Sequence, residues 1–367
     1  MSEVIDSIEI APDTYWVGKR DPQSIFFANP YLRCFRAGEG GKQINLLIDP
    51  GSNSDFAVVS AKVTTLLGNL KRLSAVFINH QDPDVGTSTP ALINRFAPKA
   101  SILCSEDTWR LIVHLSLPRE NFVALDRYKK GMRLGTGHEL IPVPSPFCHF
   151  RGAVMLYDPQ TRVLFTGDLF GGLTAADAQG IWADESDWRG MRVFHQLYMP
   201  SNKALRSTIA AIRALDPAPE LLAPQHGRLI RGRLIAEYME RIEHLPVGLD
   251  ILDEGQDEAS LVGWNHVLTR VLETASMLMG PHAEIRLADA RELEDSLSFD
   301  TGTPRITSIG RWTIGKVVDL LIRGEPSSVA NPIKFEAIGA AEELGLPAPT
   351  ISIEEQGEFD DNAFSMS

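Results

Sequence analysis

Three cysteines in 367 residues, Cys34, Cys104 and Cys148, are too few and too widely spaced for a disulfide framework or a zinc-finger pattern, so a reducing compartment fits. No apolar run is long enough to cross a bilayer, and the opening MSEVIDSIEIAPD has neither the basic nor the apolar part of a secretion signal. A soluble, cytoplasmic protein without membrane contact is expected. Positive charge is scarce as well: 35 Lys and Arg stand against 48 Asp and Glu, a net charge of −13 that repels phosphate backbones and anionic lipid. This speaks against a nucleic-acid partner. The stretch GEGGK (38–42) lacks the spacing of a phosphate loop and lies between two strand-like runs, where it reads as a hairpin turn. What the chain does have is a hydrophobic fraction of 44%, enough for sizeable cores, and a length that at about 150 residues per domain predicts two domains or one α/β unit with an appendage.

Short β-branched and aromatic runs bounded by Gly, Pro, Asn and Asp dominate the first 170 residues. TYWVG (14–18), YLRCF (31–35), INLLIDPG (44–51) and LSAVFIN (73–79) read as strands, with a helix over 54–67 that Ser54 is placed to cap. After the loop NHQDPDVG (79–86) a helix runs to Ala97, then SILCS (101–105) as strand and a helix over 106–115. ELIPVP, AVMLYD and VLFTGD (139–168) return to strand. Helices over 188–197 and 202–214, the strand ELLAP (220–224) and a helix from Arg231 to His244 follow. Two strand-rich halves flanked by helices predict an α/β fold of αββα sandwich type. The break at His244-Leu-Pro-Val-Gly248 sets the domains at 1–245 and 246–367, the second a mixed helical and strand extension. Within it, 261–279 reads as an amphipathic helix with Leu261, Trp264, Val267, Leu268, Val271, Leu272 and Met277 on its apolar side. That side has to be covered by the first domain or by a second copy, which makes a homodimer the expectation. Residues 281–367 hold sixteen acidic and seven basic side chains, a net of −9, and end in the polar, acidic ISIEEQGEFDDNAFSMS, read as a disordered tail.

His80-Gln81-Asp82-Pro83-Asp84 follows the run AVFIN directly, and positions i, i+2 and i+4 leaving a strand can turn one imidazole and two carboxylates toward one point. Alone, the triplet reads as a polar loop with an Asp-Pro turn. His149 in PFCHF, Asp168 in LFTGD and His226 in LLAPQHG each lie at or just after a strand-like run. Singly they read as a core histidine, a turn residue and a loop residue. Together, three His and three Asp at strand ends form the donor set of a dinuclear metal site.

The order His-x-Asp-x-Asp, then His, then Thr-Gly-Asp, then Pro-x-His-Gly resembles the metallo-β-lactamase superfamily from about residue 10 to 245. The usual first motif of its zinc hydrolases is His-x-His-x-Asp-His, from which this chain departs at Asp82 and Val85. A carboxylate at the second position resembles the flavodiiron proteins, and His80-Gln-Asp-Pro-Asp-Val85 resembles the oxygen-binding diiron proteins (ODP family). The resemblance implies two iron ions joined by an oxo or hydroxo bridge, the first held by His80, Asp82, His149 and Asp168, the second by Asp84, Asp168 and His226. Hard carboxylate donors favour iron over zinc. Val85 cannot coordinate, which leaves an open, apolar-flanked position for O2 or NO.

His195 and Tyr198, in FHQLYMPSN, are candidates to donate a hydrogen bond to a bound oxygen species, with core packing an equal alternative; Cys148 reads as a buried thiol and Asn79 as a turn residue. Phe299-Asp300-Thr301-Gly302-Thr303 has the look of an aspartic-protease signature, but that chemistry needs a second facing carboxylate motif and none occurs. No phosphate loop rich in Ser and Thr follows a strand after residue 245, so no FMN is expected in this chain. The leading reading is an O2-binding sensor or store whose C-terminal region passes on the state of the site to a separate signalling protein. The alternatives are an O2 or NO reductase fed by a separate electron-transfer protein, and a metal-dependent hydrolase, against which Asp82 and Val85 count.

Overall fold

The computed structural model describes residues 6–20, 24–38, 41–252, 258–288, 293, 296–299 and 304–352. The contacts divide the chain into two units. Unit 1 runs from the N-terminus to Leu249, and unit 2 takes Asp250 onward together with Pro22–Phe26 and Ala175–Asp177. The expected domain division, after residue 245, falls four residues earlier. Leu245 and Val247 are buried in unit 1, where the Leu245 carbonyl accepts from Asn202 and the Leu249 amide donates to Pro200.

Unit 1 opens with β1 (Ile8–Ala11), β2 (Thr14–Trp16), β3 (Tyr31–Arg36) and β4 (Gln43–Ile48), followed by α1 (Phe56–Leu67), β5 (Ala75–Phe77), the short α2 (Pro83–Gly86) and α3 (Thr89–Ala91). It continues with β6 (Ser101–Cys104), α4 (Glu106–Ile112), β7 (Phe122–Ala124), β8 (Met132–Arg133), β9 (Glu139–Pro144), β10 (Val154–Asp158) and β11 (Val163–Gly167). The crossover helices α5 (Asp187–Tyr198) and α6 (Asn202–Arg213) lead to β12 (Leu221–Pro224), β13 (Ile230–Arg231) and α7 (Arg233–Glu243). The strands form a seven-stranded sheet in the order β1 to β7 and a six-stranded sheet in the order β13-β12-β11-β10-β9-β8. Ser54 does not cap α1: Asp55 precedes the helix, and its Oδ2 accepts from the Ser52 amide at 2.8 Å instead.

The period of two along a strand sorts the apolar residues into layers. On β4, β5 and β6 the residues Leu46, Ile48, Ala75, Phe77 and Leu103 join Leu156, Val163, Phe165 and Ala223 of the second sheet in a core between the sheets. Their neighbours Leu47, Val76, Ile102 and Cys104 point the other way and pack with Val59, Val63 and Leu67 of α1. The expected αββα sandwich is therefore the architecture of unit 1. Continuous apolar runs in β4 to β6 are what strands covered on both faces require.

In unit 2, α8 (Glu258–Met279) is followed by α9 (His282–Ala288), the ribbon β14 (Leu297–Ser298) and β15 (Arg305–Ile306), α10 (Gly310–Ile322) and α11 (Ser327–Glu343). The apolar side of α8 is covered within the unit. Trp264, Val267, Leu268 and Val271 are buried, and α8 packs on α10 and α11. A Cβ on Gly310 would lie 2.1 Å from Cγ of Trp264, so the start of α10 needs glycine there. Met277, placed on the apolar side by its spacing, is 80% exposed. The stripe thus gives no reason to call for a second subunit. The protease-like motif at 300–303 and the tail from 353 lie outside the described residues. Among the described residues, no helix is long and apolar enough to cross a membrane.

Candidate metal centre

Strand direction brings the six candidate residues together. β9 is antiparallel to β10, β10 to β11, and β11 is parallel to β12, so β9, β11 and β12 share a direction and their C-terminal ends share an edge. His149 follows β9, Asp168 follows β11 and His226 follows β12. The end of β5, which leads to His80, is tied to the start of β10 by a Val154 N–H to Asn79 carbonyl bond of 3.2 Å.

Asp168 stands between two groups. Its Oδ2 is 3.5 Å from His80 Nε2 and 3.2 Å from His149 Nε2, while its Oδ1 is 3.6 Å from His226 Nε2. Asp82 Oδ2 lies 2.9 Å from His149 Nε2 and 3.7 Å from His80 Nε2, and Asp84 Oδ2 lies 3.1 Å from His226 Nε2. Donors of one ion at about 2.1 Å stand about 3.0–3.5 Å apart, and these separations, from 2.9 to 3.7 Å, lie close to that spacing. His80, His226 and Asp168 are buried, whereas Asp82 and Asp84 lie on the more open side.

Two of the imidazoles have their orientation fixed from behind. Asn79 Nδ2 donates to the Val154 carbonyl at 2.7 Å, so its Oδ1 is the acceptor of His80 Nδ1–H at 2.9 Å. His226 Nδ1 donates to the Phe27 carbonyl at 3.0 Å. In both rings Nε2 is the atom turned to the carboxylates, the arrangement in which a histidine serves as a ligand. Asn79 thus does more than close a turn. It also forces glycine at position 167, where φ is +60° and a Cβ would lie 2.2 Å from the Asn79 Cγ. Asp49, which the sequence reading passed over, is buried and accepts the Asn79 amide at 2.8 Å; burial pushes its carboxyl up to about 7. Its only sequence signal is the Asp-Pro-Gly end of β4.

Burial opposes charge on His80, but Asp168 and then Asp82 outweigh it and raise the imidazole to about 9. Burial likewise opposes ionisation of Asp82 and Asp84. The hydrogen bonds from His149 and His80 to the first, and from His226 to the second, hold both carboxyls below the usual range. Asp168 Oδ1 is buried without a hydrogen-bond partner. An unpaired buried carboxylate oxygen is costly, and a cation between it, Asp84 and His226 would satisfy it. Among the described residues, the ligand atoms of His80, His149 and Asp168 all lie within 4.8 Å of one another. The donors His80, His149 and Asp168 therefore fit a hard cation.

Two expectations are corrected here. His195 has no donor for a bound oxygen species: Nδ1 donates to the Met191 carbonyl at 2.7 Å and Nε2 accepts the Phe170 N–H at 3.1 Å. Burial lowers its pKa to about 4, so the ring is neutral. Val85 does not flank an open coordination position. Its side chain is buried in the apolar cluster beneath the first sheet, with Ile78 and Leu92. Tyr198 is 39% exposed, with its ring centroid 6.1 Å from that of His149 and 4.7 Å from that of Phe194.

The family model "ODP family beta lactamase" matches residues 26–227, more than half of the chain. Among curated proteins, the chain is similar to the anaerobic nitric oxide reductase flavorubredoxin of Aeromonas hydrophila, 24% identical over 254 residues, 65% of this chain and 50% of that protein. The chain spans between about a third and a half of the length of such curated relatives. Among solved structures it is similar to the apo state of the chemotaxis sensor ODP from T. denticola, with a TM-score of 0.55 and 24% identity over 67% of this chain and 96% of that one. It is also similar to the flavodiiron protein from Giardia intestinalis, with a TM-score of 0.57 and 17% identity over 74% of this chain and 68% of that one. At these identities the structures establish the fold.

Proposed function

The chain belongs to the ODP family of beta lactamases, and from that membership we propose that it is a non-heme diiron protein that binds O2 or NO. The observation that carries this reading is the buried carboxylate of Asp168, with one oxygen facing His80 and His149 and the other, lacking a hydrogen bond, facing His226. His80, Asp82, His149 and Asp168 would hold one ion, and Asp84, Asp168 and His226 the other. Three carboxylates against two ferrous ions leave a net charge of +1, which favours the ferric state by comparison with an all-imidazole shell. Iron held there would supply electrons to a bound diatomic ligand. Asn79 and the Phe27 carbonyl keep two imidazoles turned inward, and Gln81 Nε2, 2.6 Å from Asp82 Oδ1, steadies the exposed carboxylate. Tyr198, on the open side next to His149, is the remaining candidate to donate a hydrogen bond to the ligand.

We assign the protein a sensing role in the cytoplasm, with unit 2 as the output and a separate protein as receiver; the three free, buried thiols agree with a reducing compartment. Similarity to a nitric oxide reductase flavorubredoxin supports a second reading, an O2 or NO reductase supplied by a separate electron donor. Protein made with iron available and purified in air is expected to hold two irons per chain and to absorb in the near-ultraviolet as a bridged ferric pair does. Stoichiometric zinc without that band would rule out the iron assignment. Turnover of O2 or NO with a reduced flavoprotein or rubredoxin present would decide for the reductase.

A chain ending at Leu249 is expected to keep both metal positions, since all six donors lie in unit 1. It will lose some stability, because Pro22–Phe26 and Ala175–Asp177 cluster with unit 2 and include the buried Ile25. Metal content per chain after truncation checks this. A soluble but metal-free product would contradict the division of roles.

A further inference from the structure

Helix α5 reaches the candidate centre through three contacts. The Phe194 ring centroid lies 5.5 Å from that of His226, the Tyr198 ring lies 6.1 Å from that of His149, and His195 meets the turn that carries Asp168. The third contact is made to main chain. A carbonyl can only accept and an amide N–H can only donate, so the ring between Met191 and Phe170 is held in a single neutral tautomer, Nδ1–H with a bare Nε2.

The turn needs such a hold. Phe170 has a φ of +66°, in the left-handed region that disfavours a bulky side chain. The Thr166 hydroxyl donates to the Leu169 carbonyl at 2.6 Å and the Gly171 N–H to the Asp168 carbonyl at 2.8 Å, which close the loop on itself. Its start is tied to the residue after β12 by the Gln225 N–H to Gly167 carbonyl bond of 2.9 Å and the chain past its end to α5 by Leu173 N–H to the Gly190 carbonyl at 3.3 Å, while the Phe170 N–H to His195 bond holds the strained residue itself. Two glycines permit the approach. A Cβ on Gly190 of α5 would lie 1.9 Å from the Leu173 carbonyl oxygen, and one on Gly171 would lie 2.9 Å from the Phe194 ring.

We propose that His195 is a positioning residue for the metal centre: by accepting the Phe170 amide it fixes the turn that aims the two oxygens of Asp168 at two different ions. The inference rests on the diiron reading. It differs from ordinary helix packing because it depends on the acceptor at Nε2 and not on the volume of the ring.

The test uses the full chain with His195→Asn and His195→Gln. Asparagine keeps an amide near the position of Nδ1, within reach of Met191 but short of Phe170, whereas glutamine carries its carbonyl oxygen out to the position of Nε2. In the metal-free proteins, slow hydrogen exchange at the Phe170 amide is expected in wild type and in H195Q and is expected to be lost in H195N. Affinity for ferrous iron, measured by competition with a chelator, is expected to fall by about 10- to 100-fold in H195N, the range for loss of a group supporting a ligand, and to be retained in H195Q. Wild-type affinity in H195N overturns the inference, as does an equal loss in both variants. If H195N does not fold, a folded H195Q with weakened iron binding overturns it alone. A wild-type chain that takes up no iron fails the diiron reading itself, and the inference falls with it.

Discussion

Asp168→Ala is expected to empty both metal positions, lowering affinity for each ion by more than about 100-fold, because its two oxygens serve different groups of donors. Asp84→Ala is expected to empty the second position and leave the first, since Asp84 meets His226 alone among the imidazoles. The contrast carries the argument, as any single carboxylate loss weakens a metal site. Iron per chain, read beside the near-ultraviolet absorption of the aerobic protein, should fall to about none in the first variant and to about half in the second. Partial and equal loss in the two variants would contradict a shared carboxylate.

Val85→His is expected to destabilise unit 1 by about 2–5 kcal/mol, combining overpacking with two ring nitrogens that lack partners in an apolar cluster. The change matches the residue that stands at this position in zinc hydrolases of the superfamily resembled here, and by sequence alone it would simply add a ligand. The structure reverses that expectation. Val85 lies one residue beyond Asp84 within α2, and a helical step of about 100° turns it from the carboxylate side into the core. Urea unfolding of the metal-free proteins measures the effect. A variant as stable as wild type, with an altered metal spectrum, would show that the imidazole reaches the second ion.

The same turn explains one limit of what could be read in advance. The spacing His80, Asp82, Asp84 assumes an extended exit from β5, but the backbone bends over Asn79, His80 and Gln81 and is extended at Asp82, where φ and ψ are −66° and 149°. Pro83 then starts a helical turn, and the alternation ends with it. The strands that carry donors were legible because their apolar runs end abruptly in Gly, Asp, Asn or Pro, and the convergence of His149, Asp168 and His226 follows once three such strands share a direction. His195 was legible as a buried polar group but not in its role, since helical spacing does not tell whether a ring faces a ligand or a backbone amide. For α8 the stripe was legible and its cover was not. Which helix packs on an apolar face depends on α10 and α11, more than thirty residues away. The short strands β1, β7, β8 and β13 were missed because two to four residues give too little alternation to detect.

The parallel pairing of β11 with β12 sets an order of events as the chain folds. Antiparallel neighbours can close through a tight turn, but β12 is joined to β11 through the α5–α6 crossover, and His226 follows Asp168 by 58 residues (226 − 168). A nascent chain presents His80, Asp82, His149 and Asp168 well before His226 emerges. On the proposed assignment, the donors of the first position would all precede β12 in the chain, whereas the second position would lack His226 until β12 has been made.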